Sequence, residues 1–515
     1  MWSACPTLSI YHKSPYITII LLLFIAVYFD YADAFVKFRM APGSIDELSL
    51  EQLTHEEPKE AEENWFEQRL DHFDKEHKNI TWKQLYYKNN TFYQNHSNAP
   101  IFLTIGGELA ISPRWVKTGA WIQYAEEFGA MCFHLEHRFY GKSRPKSDLS
   151  FANLQFLTSR QALADVANFI QGMSRLYNFN KTQKWIVFGG SYPGALAAWA
   201  RKKYPHLIYG AISSSAPLLA KVDFFEYLEI VKVSLTTHST SCLEAVGHGY
   251  AEIETLTHHE IGQRNLDEKF RTCTQFRDSV ENPLDMSTFF QTLTDNIADV
   301  VQLNKNNTST AGYTIDEICN IMVNMTIGPP VARLGIVSGM LLEKTNETCF
   351  DYKYDKKLEE MRNISWEAKM ANWTRQWTYQ TCNEFGYFQT SNNKTDIFGD
   401  RFQVDFFIKL CMDIYSERMD AKYLERVVSQ TNENYGGLRP NTTNVLYVHG
   451  SIDPWHALGL TSSVDPNLPT IYIEGTAHCA DMYESAETDL PQLVEAREKT
   501  RKFIAQLLDQ ETNQI

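Results

Sequence analysis

Basic charge is in short supply in this chain: 48 lysines and arginines face 63 aspartates and glutamates, a net charge of −15 over 515 residues. Such a surface repels phosphate backbones and anionic headgroups, which argues against nucleic acid or acidic membrane as a partner. Metal-binding patterns are missing as well. No C-x-x-C pair and no histidine cluster occurs, so a zinc centre is a poor reading and no cofactor is expected. Long apolar runs are absent with one exception, Tyr16 to Phe29, which falls short of the roughly 20 residues needed to cross a bilayer. Lys13 precedes that run and Ala32-Asp33-Ala34 follows it, the pattern of a secretory signal (1–34) cleaved after Ala34. No stable membrane span is expected in the mature chain. Internal repeats and low-complexity linkers are lacking too. The stretch from Ser44 to Glu63 is acidic and poor in aromatics, so 35–64 reads as a flexible arm or propeptide.

What is present fits that compartment. Nine cysteines occur, and loss of Cys5 with the signal leaves Cys132, Cys242, Cys273, Cys319, Cys349, Cys382, Cys411 and Cys479. The six from Cys242 to Cys411 form a local cluster that reads as three disulfides, with fifteen pairings open by spacing alone. Cys132 and Cys479 are expected as buried thiols. Acceptor sequons N-x-S/T stand at Asn79, Asn89, Asn95, Asn180, Asn306, Asn307, Asn324, Asn346, Asn363, Asn372, Asn393 and Asn441. A secreted or lysosomal glycoprotein follows.

The chemistry is concentrated in three short segments. Gly189-Gly190-Ser191-Tyr192-Pro193-Gly194 joins an apolar strand, Trp185-Ile186-Val187-Phe188, to a helix that starts at Ala195. A serine on so tight a strand-to-helix turn is a nucleophile elbow, which stands the hydroxyl clear of the backbone. Asp453 lies just past the strand Val445-Leu446-Tyr447-Val448, and His478 just past Ile471-Tyr472-Ile473. The chain order Ser, Asp, His is that of the α/β-hydrolase fold, whose sites lie at the carboxyl ends of strands. Ser191 is the expected nucleophile, His478 the base that takes its proton, and Asp453 the group that fixes the ring tautomer and stabilises the imidazolium. The oxyanion donors are expected to be the backbone N–H of Tyr192 and that of Gly107 or Glu108, after the strand Ile101 to Ile105. Pro193 has no N–H to offer. His449 reads as a strand-end residue that packs or bonds locally, and His456 as a rim residue.

Because the triad positions are far apart, one catalytic domain is assembled from both ends of the chain. Strands and helices alternate over Ile101–Ile105, Gly119–Phe128, Met131–His137 and Gln161–Tyr177, the signature of a mostly parallel sheet. From about Pro217 to Gly399 longer helical periodicity takes over, as in Phe224–Thr236 and Ser287–Asn304. The expected organisation is hydrolase (65–216), helical cap (217–399) and hydrolase again (400–515), with sheet resuming near Asn444 and a closing helix over Leu490–Asp509.

Taken in order, Trp65-Phe66-Glu67-Gln68-Arg69-Leu70-Asp71-His72-Phe73, Glu136-His137-Arg138-Phe139-Tyr140-Gly141, the elbow, Asp453-Pro454-Trp455-His456 and His478-Cys479 resemble one family. It is the group of lysosomal serine peptidases comprising prolyl carboxypeptidase, dipeptidyl peptidase II and thymus-specific serine protease, and the last two blocks are nearest in form to the thymus-specific branch. The resemblance implies an α/β-hydrolase with an inserted, disulfide-bonded helical cap and cleavage after proline near a chain end, with Ser191, Asp453 and His478 matching the triad. It also implies the bridges Cys242–Cys319, Cys273–Cys349 and Cys382–Cys411. The expected partners are peptides with proline at the cleaved bond; whether the chain pairs as a homodimer is left open. A proline ring needs a flat apolar slot, for which Trp455 and Tyr192 are candidate walls. Glu108 is a candidate partner for a free α-ammonium, and Arg138 for a carboxylate or as a brace between loops. An ester or lipid hydrolase, and an inactive binding protein on the same scaffold, are the alternative readings.

Overall fold

The structure, a computed structural model, describes residues 62–74, 80–305, 313–344, 347–391 and 396–509. The signal segment, the acidic arm up to residue 61, and Asn79, Asn306, Asn307, Asn346 and Asn393 lie outside them. Among the described residues ten strands follow in chain order: β1 Asn64–Arg69, β2 Thr81–Asn89, β3 Ile101–Ile105, β4 Met131–Leu135, β5 Trp185–Gly190, β6 Gly210–Ser214, β7 Lys221–Asp223, β8 Gly386–Phe388, β9 Val445–Gly450 and β10 Thr470–Ile473. Eight form one sheet in the order β1-β2-β4-β3-β5-β6-β9-β10. From β4 to β10 every pairing is parallel, while β1 and β2 add an antiparallel edge.

Strands β3 to β6 and β9 are buried at every residue, as sequences covered on both faces must be. Alternate side chains go to opposite layers. Leu103, Phe133 and Val187 pack with the helices Ser159–Leu176 and Tyr192–Lys203, whereas Phe102, Cys132, Ile186 and Val448 pack with Ala120–Phe128 and Pro491–Asp509. This three-layer sandwich is the α/β-hydrolase architecture expected from the alternating elements.

Between β6 and β9 the chain leaves the sheet and builds a helical layer, tied by Cys242–Cys319, Cys273–Cys349 and Cys382–Cys411. The paired strands β7 and β8 lie at its base. Two helices past residue 400 precede the return to sheet. Val404–Ile414 carries Cys411 and is bridged to Cys382, while Ala421–Tyr435 lies on the elbow helix, with Tyr435 stacked on Trp199 at 4.1 Å. Cys132 and Cys479 are buried free thiols. Among the described sequons, Asn95, Asn180, Asn324, Asn363, Asn372 and Asn441 are exposed. Asn89 is half-buried, and its Nδ2, the atom a glycan would occupy, donates to the Val116 carbonyl at 2.6 Å. Among the described residues no helix is long and apolar enough to cross a membrane, and no group of three or more His, Cys, Asp or Glu could hold a metal ion.

Candidate active site

Strand β5 ends in Gly189-Gly190, and Ser191 then adopts φ 63° and ψ −133°, a positive-φ conformation that an L-residue occupies only when its surroundings enforce it. The enforcement is visible. Ser191 N–H donates to the Ser214 carbonyl at 2.9 Å, locking the turn to the end of β6. A Cβ at Gly189 would sit 2.1 Å from the Pro193 carbonyl oxygen, so only glycine lets the helix fold back this closely. Gly107, on the loop after β3, is as constrained: a Cβ there would meet Pro193 Cγ at 2.4 Å. Pro193 thus gives up a donor but seats that loop on the elbow.

Asp453 occupies the turn after β9 and His478 the turn after β10. The loops are laced by Ile452 N–H to the Thr476 carbonyl (2.9 Å) and Gly475 N–H to Ser451 Oγ (2.8 Å). Asp453 Oδ1 accepts from His478 Nδ1 at 2.8 Å and from Trp455 N–H at 3.0 Å. The pair adjoins the elbow: Cys479 Sγ, one residue past the histidine, lies 2.8 Å from where a Cβ of Gly190 would be. Cys479 itself is fastened by its N–H to Ser215 Oγ at 2.8 Å. Ser191, Asp453 and His478 are all buried, at 0%, 0% and 1% exposure, so any substrate must enter beneath the cap. Burial by itself would lower the His478 pKa, but the adjacent Asp453 carboxylate outweighs it and holds the imidazole well above its ordinary value. Burial likewise opposes ionisation of Asp453, yet the His478 charge and hydrogen bond keep its carboxyl below the usual range.

Trp455 and Tyr192, both buried, face the cap. The Trp455 ring meets Phe224, Tyr227 and Tyr387 at 5.4 to 5.6 Å, and its Nε1 donates to Gln302 Oε1 at 2.7 Å. Tyr192 packs on Trp377 and Phe385, and its hydroxyl is held by Gln380 Nε2 (2.9 Å) and His137 Nε2 (3.1 Å). Gln302 was invisible to sequence reasoning, being an unremarkable glutamine at a helix end. It nevertheless binds Trp455, accepts from the Tyr227 hydroxyl at 2.7 Å, and through its carbonyl accepts His478 N–H at 3.0 Å.

Glu108 is fully buried and neither carboxyl oxygen has a hydrogen-bonding partner outside its own residue. Burial pushes its pKa up to about 8. His449 is buried against Gly459, with both ring nitrogens lacking partners and burial pushing its pKa down to about 4, so it packs but does not bond locally. His456 is half-exposed, edge-on to Tyr472.

Arg138 is a brace and not a carboxylate receptor. Its Nε and Nη2 grip Asp165 at 2.6 and 2.7 Å, and the remaining N–H groups go to the carbonyls of Leu70, Phe156 and Arg69. Every guanidinium donor is spent within the fold. His72 Nε2 shares the same carboxylate at 2.7 Å, which explains why the Asp71-His72 and His137-Arg138 blocks occur together. Arg138→Met should therefore leave the buried Asp165 carboxylate with His72 as its remaining side-chain partner, costing about 3–5 kcal/mol of unfolding free energy in denaturant titration.

Sheet, elbow and inserted helical layer define an α/β-hydrolase. A family model described as serine carboxypeptidase S28 matches residues 68–500, and the chain belongs to that family. It is similar to the thymus-specific serine protease of Mus musculus, 34% identical over 85% of this chain and 86% of that protein, and to the human protein of the same name, 34% identical over 83% of each. The lysosomal Pro-X carboxypeptidase of Bos taurus is 28% identical over 86% of this chain and 87% of that one. The chain is a serine peptidase, and its three disulfides fit a protein of the oxidising secretory pathway.

Proposed function

We propose that Ser191, His478 and Asp453 act as a triad that hydrolyses peptide bonds after proline near a chain end. The observation that carries this is the buried 2.8 Å bond from His478 Nδ1 to Asp453, next to the strained serine turn. In the proposed reaction Ser191 Oγ attacks the scissile carbonyl as His478 Nε2 takes its proton. The oxyanion is received by the backbone N–H groups of Tyr192 and Gly107. Collapse breaks the C–N bond, the leaving amine takes the proton from His478, and water repeats the sequence on the acyl-enzyme. Asp453 holds the ring so that its other nitrogen faces the serine. Trp455 and Tyr192 supply aromatic surface for a proline ring, and a relative's name, Pro-X carboxypeptidase, points the same way.

The test is a matched panel of peptides that differ only in Pro or Ala at the cleaved bond, assayed beside short-chain esters. A preference for Pro of at least tenfold in kcat/KM supports the reading, whereas faster ester turnover with no peptide cleavage favours an esterase.

Glu108 adds a pH signature. Neutral below about 8, its carboxyl leaves the oxyanion region uncharged, and ionisation above that value places a negative charge near His478 and Tyr192. The expected result is a fall in kcat/KM as pH rises through about 8, and its absence in Glu108→Gln.

A further inference from the structure

Strand β6 lies between β5, which carries the elbow, and β9, which carries the acid, while β10, which delivers His478, is one strand further out. At about 4.8 Å per strand, the end of β10 stands roughly 14 Å from the end of β5. The loop bearing the base must therefore cross β9 and β6 to approach Ser191. Three consecutive serines stand where it lands: Ser213 and Ser214 close β6, Ser215 follows, and all three are buried.

Each serine joins a different piece of the site. Ser213 Oγ donates to the Gly194 carbonyl at 2.8 Å, in the first turn of the helix behind the nucleophile. The Ser214 carbonyl accepts Ser191 N–H at 2.9 Å, and the Ser214 hydroxyl donates to Asp481 Oδ2 at 2.5 Å. Ser215 N–H donates to the Val448 carbonyl of β9 at 2.7 Å, and its Oγ accepts Cys479 N–H at 2.8 Å. The base loop is thus tied to the end of β6 one and three residues past His478. From behind, Arg497 of the closing helix donates to the Ala480 and Asp481 carbonyls at 3.2 and 3.3 Å, leaving the Asp481 carboxyl directed at Ser214. Backbone strain converges on the same bonds. Ser191, Ser215 and Cys479 have φ of 63°, 49° and 57°, conformations that persist only where the surroundings over-determine them.

We propose that Ser214, Ser215 and Asp481 are positioning residues that set the approach of His478 to Ser191, with the Ser214 hydroxyl and the Asp481 carboxyl acting as one linkage. They act through the two loops they join and not on the substrate. The inference rests on the triad reading above and adds the residues that keep nucleophile and base aligned.

The experiment compares the full chain with Ser214→Ala, Ser215→Ala, Asp481→Ala and the Ser214→Ala/Asp481→Ala double variant. Turnover is measured on the best-cleaved peptide of the proline panel, and the rate of phosphonylation by a fluorophosphonate is measured beside it. Complete phosphonylation counts the competent sites, and melting temperature reads the fold. In each single variant kcat per competent site is expected to fall about 10- to 100-fold, as for a misplacement of about 1 Å, with KM changed less than about threefold. Phosphonylation should slow by a similar factor, and the double variant should be no worse than either of its parents because both remove the same bond. Parental kcat and phosphonylation rate in folded Ser214→Ala and Ser215→Ala overturn the inference and leave the triad reading standing, the serines then serving stability alone. Losses confined to KM overturn it too, as do losses that multiply in the double variant. If Asp481→Ala does not fold, the two serine variants, each lacking a single oxygen, carry the test. If the panel shows no proline preference, the phosphonylation rates still decide. A parent chain that takes no fluorophosphonate sinks the triad reading and this inference together.

Discussion

Ser191→Ala is expected to lower kcat by about 10⁶ while leaving the fold intact. The substitution removes one oxygen from a fully buried turn whose backbone is set by the Ser214 carbonyl and by the fit of Gly189 and Gly107 around Pro193, none of which involves the hydroxyl. A melting temperature close to that of the parent, beside lost turnover on the best proline substrate, is the expected pair of readings. Because the triad acts as a unit, His478→Ala should cost about as much, and the double variant little more than either single one. Additive losses would mean that the two residues do not serve the same step.

The second large effect is expected at the acid. Asp453→Asn keeps the size of the side chain but replaces an acceptor by a group that can donate to His478 Nδ1, favouring the tautomer that leaves Nε2 protonated and unable to take the serine proton. The expected loss is about 10⁴ in kcat. A pH signature accompanies it. In the parent the Asp453 carboxylate raises the His478 pKa, so activity should rise with pH through a value above the ordinary histidine range; in the variant that limb should move to lower pH. Stability runs in the opposite sense. The contribution of a raised histidine is fully present below its unfolded value of about 6.5 and is lost as pH rises through the folded one, while that of Asp453 is lost as pH falls through its lowered value. Melting temperature and activity should therefore respond oppositely near neutrality, a contrast that paired pH scans of the parent and Asp453→Asn would reveal.

Much of this could be read before any coordinates. The strands carrying β3, β5 and β9 announce themselves as short apolar runs closed by glycine or turn residues, because a parallel sheet covered on both faces tolerates little else. The edge strands β1 and β2 are not legible in the same way: their polar residues face outward, as in Thr81 and Lys83, and mask the pattern. In the cap, helices such as Ser287–Asn304 were legible from periodicity, although the observed element is Pro283–Gln302, begun by the Asn282 cap and Pro283. What sequence could not disclose is which polar residues meet across the fold. The Arg138–Asp165–His72 brace joins segments nearly a hundred residues apart, and its arginine looked equally suited to binding a carboxylate. Gln302 gains its meaning only from where the cap helix lands, against Trp455 and the His478 backbone.

The account depends most on Ser191 being the activated nucleophile, and a fluorophosphonate that phosphonylates such a serine tests this directly. Intact-mass analysis followed by peptide mapping should find one adduct, on Ser191, that forms more slowly in Asp453→Asn. An adduct on a different residue, or none on folded, processed protein anywhere from about pH 4 to about pH 8, would contradict it.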